Sequence, residues 1–441
     1  MSQTSAAPQR DLLLQELINA RARADELFQI VRPEALYDRP IAERHRIVFY
    51  MGHLEAFDGN LLRSELGDPR AFAPQLDKLF AFGIDPLNGG LPDDQPHDWP
   101  AREDVVSYNR RLRDTLDESL SARMADSRES RSKIARLLHV AIEHRLMHVE
   151  TLAYMLHRLS IERKYPSRSH PPASAPQVRP QMAEIPAGAA TLGLKQDGEG
   201  PFGWDNEFQE HTVQVPAFRI DTYNVTNRQF LRFVAEGGYR ERSLWSDADW
   251  DWLQSTGASH PAFWVPRGNQ FFYRTMFEEI PLPLSCPVYV SHAEASAYTR
   301  WAGKKLPSEA EWHRAANGTP AGTERPYPWG EDAPAPSLGN FDLRRWDPTP
   351  VGAFPAGSSA FGVADLVGNG WEWTRTVFAP FDGFEPFPFY PGYSANFFDG
   401  HHYVMKGGSA RTAACLLRRS FRNWFQPRYP YVYASFRCVE H

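Results

Sequence analysis

A proline-rich, polar stretch from Lys164 to Gln181 divides the chain into two halves of unlike texture. Before it, apolar residues recur every three to four positions over long runs. After it, short apolar runs alternate with Gly, Pro and Asn turns and with scattered tryptophans. The first texture is that of packed helices and the second that of a loop-rich mixed fold, while polar chain dense in proline is too stiff to pack. Two domains are therefore expected, at 1–165 and 182–441, joined by a linker at 166–181. With 441 residues in all, each half is long enough to bury its own core.

The N-terminal half reads as four helices: Gln9 to Val31, Ile41 to Leu66, Arg102 to Ala122 and Ser130 to Arg158. A Pro-marked turn (Arg32-Pro33, Arg39-Pro40) separates the first two. A long loop carrying Pro86, Gly89, Gly90, Pro92, Pro96 and Pro100 follows the second. Helices of this length and spacing suggest an antiparallel bundle. The second helix carries an apolar stripe at Tyr50, Leu54, Phe57 and Leu61, and His53 lies on it. The fourth has its stripe at Ile134, Leu137, Leu138 and Ala141, resuming at Thr151, Leu152, Met155 and Leu156. Between these the register places His144 and His148 inward.

A lone core histidine such as His53 is ordinarily a hydrogen-bonded side chain. The pair is different, because two imidazoles at i and i+4 project in one direction, as a metal-gripping helix does, and inside a bundle they need donors, acceptors or an ion. Three neutral imidazoles leave coordination positions open and suit zinc or ferrous iron; ligand type does not choose between them. His45, His139 and His157 fall off the stripes and read as surface residues. Glu150, two residues from His148, points to another side of the helix.

Composition closes several functional classes. The net formal charge of −6 leaves no basic excess for a phosphate backbone, so no nucleic-acid partner is expected. No apolar run is long enough to span a membrane, and the N-terminus lacks the build of a signal peptide. Cys286, Cys415 and Cys438 have no metal-type spacing and fit a reducing cytoplasm.

The C-terminal half reads as an irregular α+β domain with helices at Asn227 to Glu236, Ser291 to Gly303 and Ser308 to Asn317. The last two open on capping boxes, Ser291/Glu294 and Ser308/Glu311. A series of short blocks runs through it: Glu184-Ile-Pro-Ala-Gly188, Asp205-Asn-Glu207, Tyr223-Asn-Val-Thr-Asn227, Pro287-Val288 with Ser291-His-Ala-Glu294, and Lys305-Leu-Pro-Ser-Glu-Ala-Glu-Trp312. Then come Pro328-Trp-Gly330, Gly368-Asn-Gly-Trp-Glu-Trp-Thr374, Lys406-Gly-Gly-Ser409 and Ser435-Phe-Arg437. Physically these are scaffold: Gly407-Gly408 permits close backbone approach, and Trp371 and Trp373 alternate with Glu372 as on a half-buried strand.

In this order the blocks resemble the sulfatase-modifying-factor (formylglycine-generating-enzyme) superfamily, whose fold is C-type-lectin-like. The formylglycine-generating activity itself is not expected, because it needs a cysteine pair after the Gly-Gly-Ser block and only Cys415 stands there. Fused to a DinB-like bundle carrying His53 and His144-Arg-Leu-Met-His148-Val-Glu150, the domain resembles the ergothioneine-biosynthesis sulfoxide synthases and their ovothiol and selenoneine relatives. The fold class implied is α plus α+β, a DinB-like four-helix bundle followed by a lectin-like domain, with the active site at their interface.

The resemblance implies a mononuclear non-haem iron(II) held by His53, His144 and His148, and the joining of a thiol to hercynine (Nα-trimethylhistidine) with O2. The tail Ser420-Phe-Arg-Asn-Trp424 places Asn423 and Trp424 on hercynine, whose trimethylammonium calls for aromatic faces. The segment Tyr390-Pro-Gly-Tyr393-Ser394 implies Tyr390 as proton donor and Tyr393 as a substrate contact. Where the family's γ-glutamylcysteine users carry an aspartate after Asn-Trp, this chain has Phe425, which points to free cysteine as donor. Its carboxylate would be gripped from the cluster Arg418, Arg419, Arg422 and Arg428. A structural calcium at Asn369 and Glu372, as in some lectin-like relatives, is a further expectation. The rival readings are a zinc-dependent thiol transferase on a DinB-like bundle, a relative taking a selenium donor, and a non-enzymatic binding module.

Overall fold

The computed structural model describes residues 6–66, 72–82, 91–123, 128–167, 172, 175, 178–196 and 200–441. The chain falls into two compact units, Met1–Ser167 and Arg168–His441.

The first unit is helical: α1 (Ala6–Gln29), α2 (Ile47–Leu66), α3 (Pro74–Phe82), α4 (Arg102–Arg123) and α5 (Arg128–Arg158). α1 packs along α5, and α2 packs on α3, α4 and α5. The stripes read from the sequence are the core: Leu54, Ile134, Leu138, Leu152 and Met155 are all buried. Residues 41–46 are turns rather than helix, because Arg46 donates to the Tyr37 carbonyl (2.6 Å) and pairs with Asp94 (2.8 Å).

α3 occupies chain expected to be loop. Pro74 opens it, where a missing N–H costs nothing, and Asp77 accepts from the Phe72 and Ala73 backbone N–H groups (2.9 and 3.2 Å). The expected loop residues Pro86, Gly89 and Gly90 lie outside the described residues. At the far end of α5, an antiparallel bridge between Val31 and Lys164 closes the unit, and Lys164 Nζ donates to the Leu156 carbonyl (2.8 Å). His157 is buried, although the stripe alone had placed it on the surface.

One charged network crosses the bundle. Arg145 on α5, fully buried, donates to Glu55 (2.8 Å) and Asp58 (2.6 Å) on α2; Arg113 on α4 reaches Glu55 (2.6 Å) and Asp25 on α1 (2.7 Å). Burial pushes the Asp58 carboxyl up. Burial also opposes ionisation of Glu55, but Arg145 and Arg113 outweigh it and hold that carboxyl below the usual range.

In the second unit, part of the 166–181 stretch is docked: Ser285 Oγ donates to the Ala175 carbonyl (3.0 Å) and the Thr222 N–H to that of Gln181 (2.8 Å). The strands are β1 (Met182–Ile185), β2 (Gly188–Leu192), β3 (His211–Val215), β4 (Phe218–Asp221), β5 (Trp264–Arg267), β6 (Gln270–Arg274), β7 (Glu279–Pro281), β8 (Trp371–Val377), β9 (Tyr403–Lys406), β10 (Asn423–Phe425), β11 (Ala434–Ser435) and β12 (Val439–Glu440). They form small sheets in the orders β1-β4-β12, β10-β9-β8-β11, β2-β3 and β5-β6-β7. Helices α6 (Asn227–Ala235), α7 (Asp247–Thr256), α8 (His292–Trp301) and α9 (Glu309–Asn317) punctuate the loops. Both expected capping boxes form at α8 and α9; a third, Thr226/Gln229, caps α6, and α7 was not anticipated.

Glu372 ties several of the short blocks together. Its buried carboxylate accepts from Arg437 Nε (2.7 Å), Trp312 Nε1 (2.8 Å) and Asn224 Nδ2 (3.0 Å), so residues of four separate blocks meet at one point. β8 is accordingly buried on both faces from Trp371 to Thr374, not half-buried as its alternation suggested. A side chain on Gly407 would collide with the Leu366 carbonyl oxygen, which is the close approach the Gly-Gly pair permits. Among the described residues, no helix is long and apolar enough to cross a membrane.

Candidate metal centre and substrate-side residues

His53 stands on α2, and His144 and His148 one turn apart on α5. Helical periodicity turns all three inward, and one potential ligand atom of each lies within 4.8 Å of the others. His53 and His144 are 8% and 3% exposed, and His148 is half-buried. The His53 Nδ1–H donates to the Phe80 carbonyl on α3 (2.7 Å), which fixes the tautomer and leaves Nε2 as the potential ligand atom. Phe57 stacks on His144 at 3.5 Å between centroids, and Phe49 on His53 at 4.7 Å.

The donor set fits a metal. Burial pushes His53 down to about 4; burial and the neighbouring imidazoles hold His144 well below its ordinary value, and burial does the same for His148. All three are thus neutral at pH 7, the state a metal ligand requires. His148 Nδ1 is buried without a hydrogen-bond partner among the described residues, a position that an ion or a water satisfies. Glu150 is not among the grouped ligands. Sequence reasoning missed the Phe80 carbonyl and the Arg145 staple. Glu55 and Asp58, three apart on α2, were the available signal for the staple.

In the second unit the structure gathers some of the expected residues and separates others. Trp424 on β10 stacks on Phe378 (4.3 Å, 6° between planes) and meets the edge of Tyr393 (5.4 Å), which in turn neighbours Tyr390 (5.7 Å). Tyr390, Tyr393 and Trp424 therefore make one aromatic wall, extended by Phe397 and by the unanticipated Trp204 and Phe378. Strand alternation turns Asn423 and Phe425 to the opposite face of β10 from Trp424. The Asn423 Oδ1 accepts from the Trp424 N–H (2.9 Å), and Phe425 stacks on Tyr429 (5.4 Å).

The expected carboxylate grips are already engaged. Arg422 is 2% exposed; its Nε pairs with Glu309 (3.0 Å), and it donates to the Asn206 and Ala379 carbonyls. Arg418 lies along the buried Glu207, with Nε at 2.8 Å. Arg419 pairs with Glu324 (3.0 Å) and Arg428 with Asp249 (2.9 Å). Arg422 and Arg418 thus brace β10 and the segment before it, because buried carboxylates need partners. The calcium expectation also meets occupied oxygens. Glu372 faces Arg437 where a cation would stand, and Asn369 Oδ1 accepts from the Thr349 N–H (2.7 Å) and Asn340 Nδ2 (3.1 Å).

Comparison with known proteins agrees with this division. Residues 16–152 match the DinB superfamily, and residues 168–441 match the sulfatase-modifying factor enzyme 1-like domain. The chain is 34% identical to the hercynine oxygenase of Mycolicibacterium thermoresistibile, over 98% of this chain and 96% of that one. Against the hercynine oxygenase of Mycolicibacterium smegmatis the figures are 35%, 98% and 99%. A formylglycine-generating enzyme of Mycobacterium tuberculosis is 31% identical over 47% of this chain. Full-length likeness to the first two, with partial likeness to the third, leaves one assignment: the chain belongs to the hercynine oxygenase family of enzymes, a DinB-superfamily bundle followed by a sulfatase-modifying-factor-like domain.

Proposed function

We propose that the chain is an iron(II)- and O2-dependent sulfoxide synthase of ergothioneine biosynthesis, joining hercynine to a thiol. The observation that carries this reading is the meeting of three neutral imidazoles from α2 and α5 within 4.8 Å, with no carboxylate among them. In the reaction a ring C–H and a thiol S–H give way to a C–S bond. One atom of O2 ends on sulfur as the sulfoxide and the other leaves as water, so the electrons balance. When bound, ferrous iron at His53, His144 and His148 supplies a redox-active centre with positions left for the reactants.

The chain's own residues hold and orient. Trp424 and Tyr393 offer ring faces to the trimethylammonium, which cannot donate a hydrogen bond. Tyr390 is the proton donor; burial, and then the nearby Asp205, push its hydroxyl pKa upward, so it yields its proton only to a strongly basic partner. Asn423, on the other face of β10, holds the Trp424 backbone through its amide oxygen. Phe425 places an apolar ring where a charge would select γ-glutamylcysteine, which supports cysteine as sulfur donor. Arg418 and Arg422 act as braces. All three cysteines are unbridged thiols, in keeping with a cytoplasmic setting.

The test is mass spectrometry of products from hercynine, O2 and Fe(II) with cysteine, γ-glutamylcysteine or a selenol, alongside metal analysis of anaerobically prepared protein. The expected result is iron, and a sulfoxide product with cysteine. Zinc together with O2-independent thiol transfer would overturn the reading. His144→Ala should abolish both iron binding and product.

A further inference from the structure

One short turn, Trp204 to Glu207, reaches both the loop that carries Tyr390 and Tyr393 and the segment 418–422. All four residues are buried, 1% exposed or less. The Trp204 ring lies on Tyr393 at 3.9 Å and 23°, with Tyr390 at 6.5 Å. Asp205 Oδ1 accepts from Ser394 Oγ at 2.6 Å, and the Phe387 backbone N–H faces the same carboxyl. The Asn206 carbonyl accepts from Arg422 (3.2 Å). The Glu207 carboxylate takes Arg418 Nε (2.8 Å) and Ser420 Oγ (2.6 Å).

Phe387 and Ser394 bound the loop that carries Tyr390 and Tyr393. That loop has no ladder to hold it. Its own turns are Tyr390 N–H to Phe387 O (3.0 Å) and Tyr393 N–H to Tyr390 O (3.2 Å). Ordering such a segment opposes the conformational entropy of each residue, and small misplacement of a reacting group is costly in rate. A buried carboxylate is itself unfavourable unless its contacts repay it. Here it spans both ends of the loop.

We propose that Asp205 is a positioning residue: by clipping Phe387 and Ser394 it holds Tyr390 and Tyr393 in register with Trp204 and Trp424. This rests on the reading of those tyrosines as substrate-side groups. The hydrogen bond from Ser394 to Asp205 holds the loop whatever the tyrosines do.

The experiment uses the full chain with Asp205→Ala, Asp205→Asn, Ser394→Ala and the Asp205→Ala/Ser394→Ala double variant. Hydrogen exchange over residues 387–394 and steady-state kinetics with hercynine and cysteine are both followed. Asp205→Ala and Ser394→Ala should each speed exchange in the loop roughly tenfold or more, and lower kcat by a similar factor with hercynine KM little changed. The double variant should be no worse than the poorer single, and metal content should be unaffected. Asp205→Asn keeps an acceptor for Ser394 and should stay within about threefold of wild type on both measures. Unchanged loop exchange in both alanine variants, or losses that multiply in the double, would overturn the clip. A wild-type protein that forms no product would instead strike the functional reading, with loop exchange still deciding the clip.

Discussion

The imidazole of His53 is oriented by the backbone of Phe80, its Nδ1 lying 2.7 Å from that residue's carbonyl oxygen. The donor is on α2 and the acceptor on α3, so the packing of the short helix sets the aim of a proposed metal ligand. Gly52 makes that packing possible, because a side chain there would run into the Phe80 ring, which is wholly buried.

Gly52→Ala should therefore shift Phe80 and disturb His53 without touching any ligand. Overpacking of this kind costs about 1–3 kcal/mol of stability. Loss of an orienting partner weakens metal binding by roughly 10- to 100-fold. Anaerobic Fe(II) titration, with urea unfolding alongside, checks both. Metal affinity equal to wild type would show that the Phe80 carbonyl does not govern the ligand.

The Arg145 network makes a second prediction. Arg145→Met leaves Glu55 and Asp58 buried at one site without the guanidinium they share. Breaking one side of a buried ion network costs about 3–5 kcal/mol, whereas replacing it by neutral groups is far milder. The single variant should lose that much in urea unfolding followed by circular dichroism. Adding Glu55→Gln and Asp58→Asn should recover a good part of it. A triple variant no better than the single would show that the cost comes from lost packing around the arginine stem.

These two sites mark how far the sequence could be read. The histidines were legible because α2 and α5 are long, and a stripe repeated over many turns fixes which side faces inward. α3 was not, since nine residues give only about two and a half periods and lie in chain rich in proline and glycine. His157 was misplaced because α5 packs on α1 as well as on α2, and spacing within one helix does not encode what its neighbours cover. The arginines near β10 show in the sequence only as a cluster, without the carboxylates that engage them. Position along the chain showed them close to Trp424, while Glu207 and Glu309, which engage Arg418 and Arg422, come from far away in sequence.

Asp365 gives the pH prediction. Burial pushes its carboxyl up to about 6, with the Gly352 N–H and Arg437 only partly offsetting it. A folded-state value above the unfolded one means that the folded state keeps the proton longer. The contribution is thus fully present below about pH 4 and is lost as pH rises through about 6. Asp365→Asn should remove that slope and stabilise the second unit near neutrality by roughly 1–3 kcal/mol. Asparagine tolerates the backbone φ of 54° there, and its amide oxygen can still accept from Gly352. Urea unfolding at pH 5 and pH 7.5 reads the effect, and equal stability of variant and wild type at the higher pH would refute it.

Trp424 tests the aromatic wall. Its ring is held flat against Phe378 and nearly perpendicular to Tyr393, so its orientation is set by neighbouring rings. A cation resting on such a face gains about 1–2 kcal/mol when shielded from water. Trp424→Leu should accordingly raise the hercynine KM by roughly 5- to 30-fold, leaving the KM for cysteine near its starting value. Trp424→Phe, which keeps a ring, should fall between the two. Histidine lacking its methyl groups supplies the internal control, because discrimination between it and hercynine should shrink in the leucine variant. If both variants bind hercynine as wild type does, the trimethylammonium rests elsewhere, and the wall formed by Tyr390, Tyr393 and Trp424 serves packing alone.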